Sequence, residues 1–146
     1  MADVDRGVST VVGYVLNIGI ATILIAGLLV SGASLVSDQR ERAVRSELSV
    51  LGNRLAADIE TADRLLRVGG GTVSISTSLP ERVAGREYRI EIETDDGEVM
   101  LRLVTASAGV IRRVPVDNET RVGSGTVDGG DLLIEGTGDQ LEVSNG

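Results

Sequence analysis

The residues that could carry chemistry in this chain are hydroxyls and carboxylates, because the 146-residue sequence holds no His, Cys or Lys. A Ser or Thr hydroxyl needs an adjacent base such as His or Lys to act as a nucleophile. Paired carboxylates can perform acid–base chemistry, but the acidic residues here fall in predicted turns or on predicted solvent faces. The sequence therefore predicts that the protein is not an enzyme and takes no cofactor or small-molecule substrate.

Two acidic clusters, Asp95-Asp96 and Asp128 with Asp131, carry the oxygen ligands that Ca²⁺ prefers. Neither cluster has the spacing of an EF-hand loop. Gly97 follows the first cluster and Gly129 lies within the second, and Asp-Gly sequences favour hairpin turns. We therefore expect turns at both places and assign no metal ligands.

Asn118-Glu119-Thr120 matches the acceptor pattern for N-glycosylation, in which the middle residue is not proline. The triplet lies in a predicted loop after Pro115. It is either a glycan attachment site at Asn118 or an ordinary polar turn.

The composition excludes a nucleic-acid role, because the net charge is −8 and the only aromatic residues are Tyr14 and Tyr88. Nucleic-acid binding needs a positive surface, and single strands stack on aromatic side chains. All 14 basic residues are arginine. An acidic surface without lysine is typical of adaptation to multimolar salt, where carboxylates repel each other little; a genome of high GC content also replaces Lys with Arg.

Residues Gly7–Ser37 form an uncharged apolar run. As a helix the run spans roughly 46 Å, longer than the ~30 Å hydrocarbon core of a bilayer. A cleaved secretory signal would have a shorter apolar region and a basic N-terminal region, but the only basic residue before the run is Arg6. We predict a leader at 1–7 and a transmembrane helix at 8–36, with Val8–Val30 as its apolar centre.

Small residues are scattered along this helix and allow close approach of a second helix where lipid gives no hydrophobic drive. Asn17 is the one amide in the run, and its side chain needs a partner in hydrocarbon. It either bonds across helices or marks, with neighbouring glycines, a point where the helix can unwind. The predicted helix-assembly residues are Gly13, Asn17, Gly19 and Gly27.

Residues 37–68 continue as an amphipathic helix. Apolar residues recur at spacings of three and four, which places them on one stripe, and charged residues, Asp63 among them, occupy the other faces. Gly69-Gly70-Gly71 ends the helix. The stripe consists of Val44, Leu48, Leu51, Leu55, Ile59, Ala62 and Leu66.

Residues 72–146 change to the alternating pattern of β-strands, and Asp95-Asp96-Gly97 indicates a hairpin. Pro115 favours an edge strand or a strand end. We predict one antiparallel meander with a single apolar face. Its strands are Thr72–Leu79, Arg86–Thr94, Glu98–Val104, Val110–Val116, Arg121–Val127, Leu132–Glu135 and Gln140–Val143.

A sheet of this size without Trp, Phe or a disulfide is only marginally stable alone. Packing the apolar stripe of the amphipathic helix against the sheet would bury both apolar surfaces. The predicted fold class is therefore α+β: a long N-terminal hydrophobic helix, continuing as an amphipathic helix, packed on a small antiparallel β-sheet domain at 72–146.

The segment Asp5-Arg6-Gly7-Val8-Ser9-Thr10-Val11-Val12-Gly13, together with the apolar run that follows, resembles the type IV pilins and pilin-like proteins of haloarchaea. In that family a class III signal peptide ends in a basic and a small residue, and a membrane prepilin peptidase cuts before the hydrophobic segment. The resemblance implies a cut between Gly7 and Val8, with Arg6 in the recognised junction. It also implies that the helix first anchors the subunit in the membrane and then packs with other pilin-like subunits in a filament.

The functional expectation is a pilin-like structural subunit, of minor or pseudopilin type, in the cell membrane with its C-terminal domain outside and assembled into a surface filament or pilus. The alternative is a single-pass membrane protein whose external β domain serves as a scaffold or sensor and never assembles. A third reading, a β domain that binds a cell-surface sugar, is disfavoured because the chain has almost no aromatic residues for sugar stacking.

Overall fold

A computed structural model describes residues 2–106 and 109–146; the side chains of residues 2–7 lie outside what it describes. The described residues form one helix, α1 (Ala2–Gly69), followed by a β region. The chain divides into two compact units, the first ending at Arg40 and the second running from Glu41 to Gly146. The strands are β1 (Thr72–Ser78), β2 (Arg82–Val83), β3 (Arg86–Asp95), β4 (Glu98–Thr105), β5 (Ile111–Val116), β6 (Arg121–Val122), β7 (Gly125–Asp128), β8 (Asp131–Thr137) and β9 (Gln140–Asn145).

The predicted α+β fold class is confirmed, since the helix precedes a small and mainly antiparallel β domain. The prediction of a single meander is wrong. The strands form two sheets: a first sheet in the order β1-β8-β9-β6, and a second sheet in the order β2-β3-β4-β5 with β7 also paired to β3. Only the β2–β5 portion is a meander, because β1 pairs with the distant β8, and β6 runs parallel to β9.

The predicted strand Arg121–Val127 is in fact two strands. Arg121 and Val122 pair with β9 in the first sheet, whereas Gly125–Asp128 pair with β3 in the second. Gly123 and Ser124 lie between them, and the Gly123 amide donates to the Leu141 carbonyl at 2.8 Å. The break at these two residues carries the chain from one sheet to the other.

Tight turns close the hairpins as the sequence predicts. Asp95 pairs with Glu98, and both central residues have positive φ, 49° at Asp96 and 92° at Gly97. This backbone matches the twist of the flanking strands. Pro115 lies on β5, which pairs only with β4 and is an edge of the second sheet.

The predicted stripe of α1 is confirmed, because all seven of its residues from Val44 to Leu66 are buried. The buried face of α1 contacts both sheets, and the stripe residues share one core cluster with residues of both sheets. A Cβ added to Gly52 would lie 2.7 Å from a Val114 methyl and 2.9 Å from a Leu103 methyl, both in the second sheet. A Cβ added to Gly136, in the first sheet, would lie 3.1 Å from a Leu66 methyl. The stripe therefore forms one core with both sheets.

Candidate functional site

The apolar part of α1 presents an unusual surface for a folded chain. Every described side chain from Val8 to Ala43 is exposed, and the most apolar window of the helix has no buried residue. Large side chains such as Ile23 and Leu28 are each 73% exposed. Leaving a large apolar side chain in water costs about 1.5–3 kcal/mol relative to burying it, so this surface requires an apolar environment from outside the chain.

This helix is also long and apolar enough to cross a membrane, and it lies near the N-terminus. Residues 8–36 would extend about 44 Å along the axis, against ~30 Å of hydrocarbon. The segment is compatible with single-pass anchoring in a bilayer.

The predicted helix-assembly residues do not all share one face. At 3.6 residues per turn, Gly13, Asn17 and Gly27 lie within about 80° of one another around the axis, whereas Gly19 lies about 120° from Gly13. A Cβ added at any of these three glycines would have no atom within 4 Å. Asn17 is exposed, and its amide has no hydrogen-bond partner among the described residues. The shared face therefore has open space for a second helix.

The predicted processing junction lies in the first turns of α1, which begins at Ala2. The side chains of Arg6 and Gly7 fall outside the described set. Val8 is described and is 57% exposed. Cleavage between Gly7 and Val8 stays a prediction.

The predicted glycan acceptor lies at the helix–domain contact. Asn118 is partly buried, and its Nδ2 donates to the Thr120 carbonyl at 2.9 Å. Thr120 is buried, and its backbone amide donates to Asp63 Oδ1 at 2.7 Å. The folded loop thus already uses the amide and the threonine of the triplet, so a glycan would have to be attached to Asn118 before the loop docks.

The prediction that Asp63 lies on a solvent-facing polar face is wrong. The residue is buried, with an exposed fraction of 2%. Burial alone would raise its pKa, but hydrogen bonds from Thr120 and the charge of Arg67 outweigh that effect, and the pKa of Asp63 lies below its ordinary value of 3.8. Arg67 bridges Asp63 at 3.0 Å and Glu119 at 2.8 Å. Helical spacing alone could not reveal the burial of this carboxylate, because Thr120, which donates to it, lies on a distant loop.

An open polar groove of about 950 Å³ lies beside Asn118, and its charged lining residues are Arg67, Asp96, Glu119, Arg121 and Asp139. The acidic clusters considered for calcium occupy structural positions instead. Asp95 and Asp96 form the β3–β4 turn, Asp131 accepts from the Ser78 hydroxyl at 2.6 Å, and the Asp128 backbone bonds twice to the Asn145 amide. Among the described residues, no three acidic side chains converge on a common point suited to a metal ion.

No curated protein and no solved structure is significantly similar to this chain. A family model with the description "Family of unknown function (DUF7266)" matches residues 3–144. This match spans both the apolar helix and the β domain, so the two parts occur together in the family. The chain therefore belongs to the family of unknown function DUF7266.

Proposed function

We propose that the protein is a membrane-anchored structural subunit of type IV pilin-like kind, which assembles with sister subunits through its N-terminal helix. One observation carries the proposal: the side chains from Val8 to Ala43 are all exposed, whereas the same helix from Val44 onward is buried against the β domain. The first part of α1 is therefore available to lipid or to other helices.

The physical argument concerns the transfer from bilayer to filament. A helix that leaves lipid for a bundle of like helices keeps its apolar surface away from water, so the exchange is near neutral. Exposure to water would cost about 1.5–3 kcal/mol for each large side chain. The glycines at 13 and 27 and the free amide of Asn17 support close helix packing. In this proposal the β domain, which has a net negative charge, lies outside the membrane. A prepilin peptidase is the processing partner.

N-terminal mass spectrometry of the protein purified from its native host tests the proposal. A mature chain that begins at Val8 supports it, and substitution of Gly7→Phe should then abolish the shorter form. Gly13→Phe is the matched control, because it changes the same residue type to the same bulk beyond the junction. A chain that begins at Met1 or Ala2 in both the wild type and the Gly7→Phe variant would reject processing.

A single-pass anchor that is never cut or assembled is the second candidate. It is favoured by the helical backbone from Ala2 onward, which places Gly7 and Val8 in regular hydrogen-bonded structure. Purification of the membrane protein in mild detergent separates the two candidates: monomers with an intact N-terminus support the anchor, and larger assemblies that begin at Val8 support the subunit.

A further inference from the structure

The groove beside Asn118 has polar walls that carry both charges. Arg67 and Glu119 in its lining form an ion pair with each other. The other charged lining residues are exposed and have no ion-pair partner in the described part of the chain: Asp96, Arg121 and Asp139. The walls thus offer donors and acceptors that the fold does not use in ion pairs.

Asn118 lines this groove and has one amide hydrogen that the loop holds only weakly. Its Nδ2 donates to the Thr120 carbonyl at 2.9 Å, whereas its contact with the Gly97 carbonyl is long at 3.5 Å. Gly97 also lines the groove, and a Cβ added there would meet no atom within 4 Å. The second N–H bond of Asn118 is therefore directed at the Gly97 side of the groove, where there is open space.

Attachment of an oligosaccharide uses one amide hydrogen of asparagine and leaves the other. In transfer from a lipid-phosphate-linked oligosaccharide, Nδ2 loses a proton and forms a bond to C1 of the first sugar, while the bond from C1 to the phosphate oxygen breaks and the lipid phosphate leaves. The modified Nδ2 still carries one hydrogen, so its bond to the Thr120 carbonyl can form when the loop docks after attachment. The triplet Asn118-Glu119-Thr120 has the acceptor pattern for this reaction.

We propose that the groove beside Asn118 is the binding site for the first sugars of an oligosaccharide attached to that residue. A hydroxyl both donates and accepts hydrogen bonds, so sugar hydroxyls suit walls that offer Arg121 as a donor and Asp96 and Asp139 as acceptors. The volume of about 950 Å³ lies within the range of about 300–1,000 Å³ that is usual for ligand sites. The inference rests on the proposed function only for the external position of the β domain.

A tethered sugar does not need the aromatic stacking that a free sugar would require. The described lining residues include no aromatic side chain, which disfavours capture of a sugar from solution. A short flexible link keeps the sugar beside the groove at an effective concentration on the order of millimolar, so a few hydrogen bonds are sufficient to hold it. The groove therefore fits the chain's own oligosaccharide better than a free one.

Hydrogen–deuterium exchange with and without the oligosaccharide tests the inference. The full-length chain is purified in mild detergent from its native host and from a host that lacks an oligosaccharide transferase, and glycopeptide mass spectrometry shows whether Asn118 is modified. Exchange over residues 117–124 should be roughly tenfold slower in the glycosylated protein, because added hydrogen bonds oppose local opening of the loop. Exchange over β1, which does not line the groove, should be equal in the two forms.

Arg121→Ala should remove most of the difference between the two forms, since it removes a donor from the groove wall. Arg113→Ala is the matched control, because Arg113 is also exposed without an ion-pair partner among the described residues but does not line the groove. Comparing the two forms of each variant cancels the effect of the substitution on the fold itself. An unmodified Asn118 in the native protein, equal exchange in the two wild-type forms, or equal behaviour of the two arginine variants would each overturn the inference.

The same samples report on N-terminal processing separately. A glycosylated and protected loop on a chain that begins at Met1 or Ala2 rejects processing alone. An unmodified Asn118 on a chain that begins at Val8 rejects the oligosaccharide site alone.

Discussion

The two parts of α1 are both rich in aliphatic residues, but the apolar residues of one part are buried and those of the other are exposed. From Val44 to Leu66 the apolar residues lie on one stripe, and the stripe is buried by the β domain. From Val8 to Val36 apolar residues lie all around the helix and are exposed. A globular domain can cover only one face of a helix, whereas lipid or a bundle of helices covers every face. The distribution of apolar residues around the axis, more than their number, therefore separates a core helix from a membrane or assembly helix.

Leucine truncation should give the largest difference between the two parts. Leu55 is fully buried and Leu24 is 63% exposed. Leu55→Ala should lower the free energy of unfolding of the β domain by about 2–5 kcal/mol, because it leaves a cavity in the core. Leu24→Ala should leave that free energy unchanged. Urea unfolding of the full chain in mild detergent, followed by circular dichroism, measures the free energy of unfolding of both variants. Equal losses would contradict the division of α1 into a core part and an exposed part.

The buried carboxylate should give the next largest effect. Asp63→Asn should lower stability at pH 7 by about 1.5–3 kcal/mol, since it weakens hydrogen bonds to a charged group. The folded pKa of Asp63 is lower than 3.8, so its contribution is present above pH 3.8 and is lost as the pH falls through the folded pKa. Urea unfolding at several pH values should show the two proteins converging in acid; a constant difference would contradict this origin.

Glycine substitutions should separate the two parts by a smaller amount. An added Cβ at Gly52 meets two methyl groups closer than 3.0 Å, whereas at Gly27 it meets nothing. Gly52→Ala should destabilise the domain by about 1–2 kcal/mol, because overpacking exceeds the gain in helix propensity. Gly27→Ala should not change domain unfolding but should weaken self-association in membranes, measured by energy transfer between labelled chains. A Gly27 variant that associates normally would place the helix interface elsewhere.

The two tyrosines should give the smallest contrast. The Tyr88 hydroxyl donates to the Pro80 carbonyl at 2.8 Å, and burial together with the charge of Glu47 raises the pKa of Tyr88 to about 12. Tyr88→Phe should cost about 0.5–1.5 kcal/mol of unfolding free energy, the value of one hydrogen bond. Tyr14 is 68% exposed, so Tyr14→Phe should have no effect on domain unfolding. Comparable effects of the two substitutions in urea unfolding would show that Tyr14 contributes to the stability of the folded domain.

The sequence predicted features that depend on local order. The period of Val44–Leu66 identified the buried stripe, and Asp96-Gly97 identified the β3–β4 turn. Strand partners were not predictable in this way, because an alternating pattern gives the buried face of a strand but not its neighbour. Ser74 on β1 lies opposite Glu135 from the far end of the chain, and no local signal records that pairing.

The candidate sites also differ in whether they depend on local sequence or on tertiary pairing. Composition and hydropathy were sufficient to identify the exposed apolar helix, since its exposed side chains have no packing partner among the described residues. The burial of Asp63, the engagement of Thr120 and the groove beside Asn118 depend on tertiary register. Each becomes visible only when the partner strand or loop is known.

Because β1 pairs with β8, the first sheet can form only after most of the β domain has been synthesised. β1 follows directly after the helix, but its hydrogen-bonding partner β8 is made only after strands β2 to β7. Contacts between such distant segments slow folding, because the intervening loop must close first. The ribosome thus releases the anchor long before the first sheet can form, and during that interval Leu66 and its neighbours have no strand to cover them. A chain shortened before β8 would keep its anchor and lose its fold.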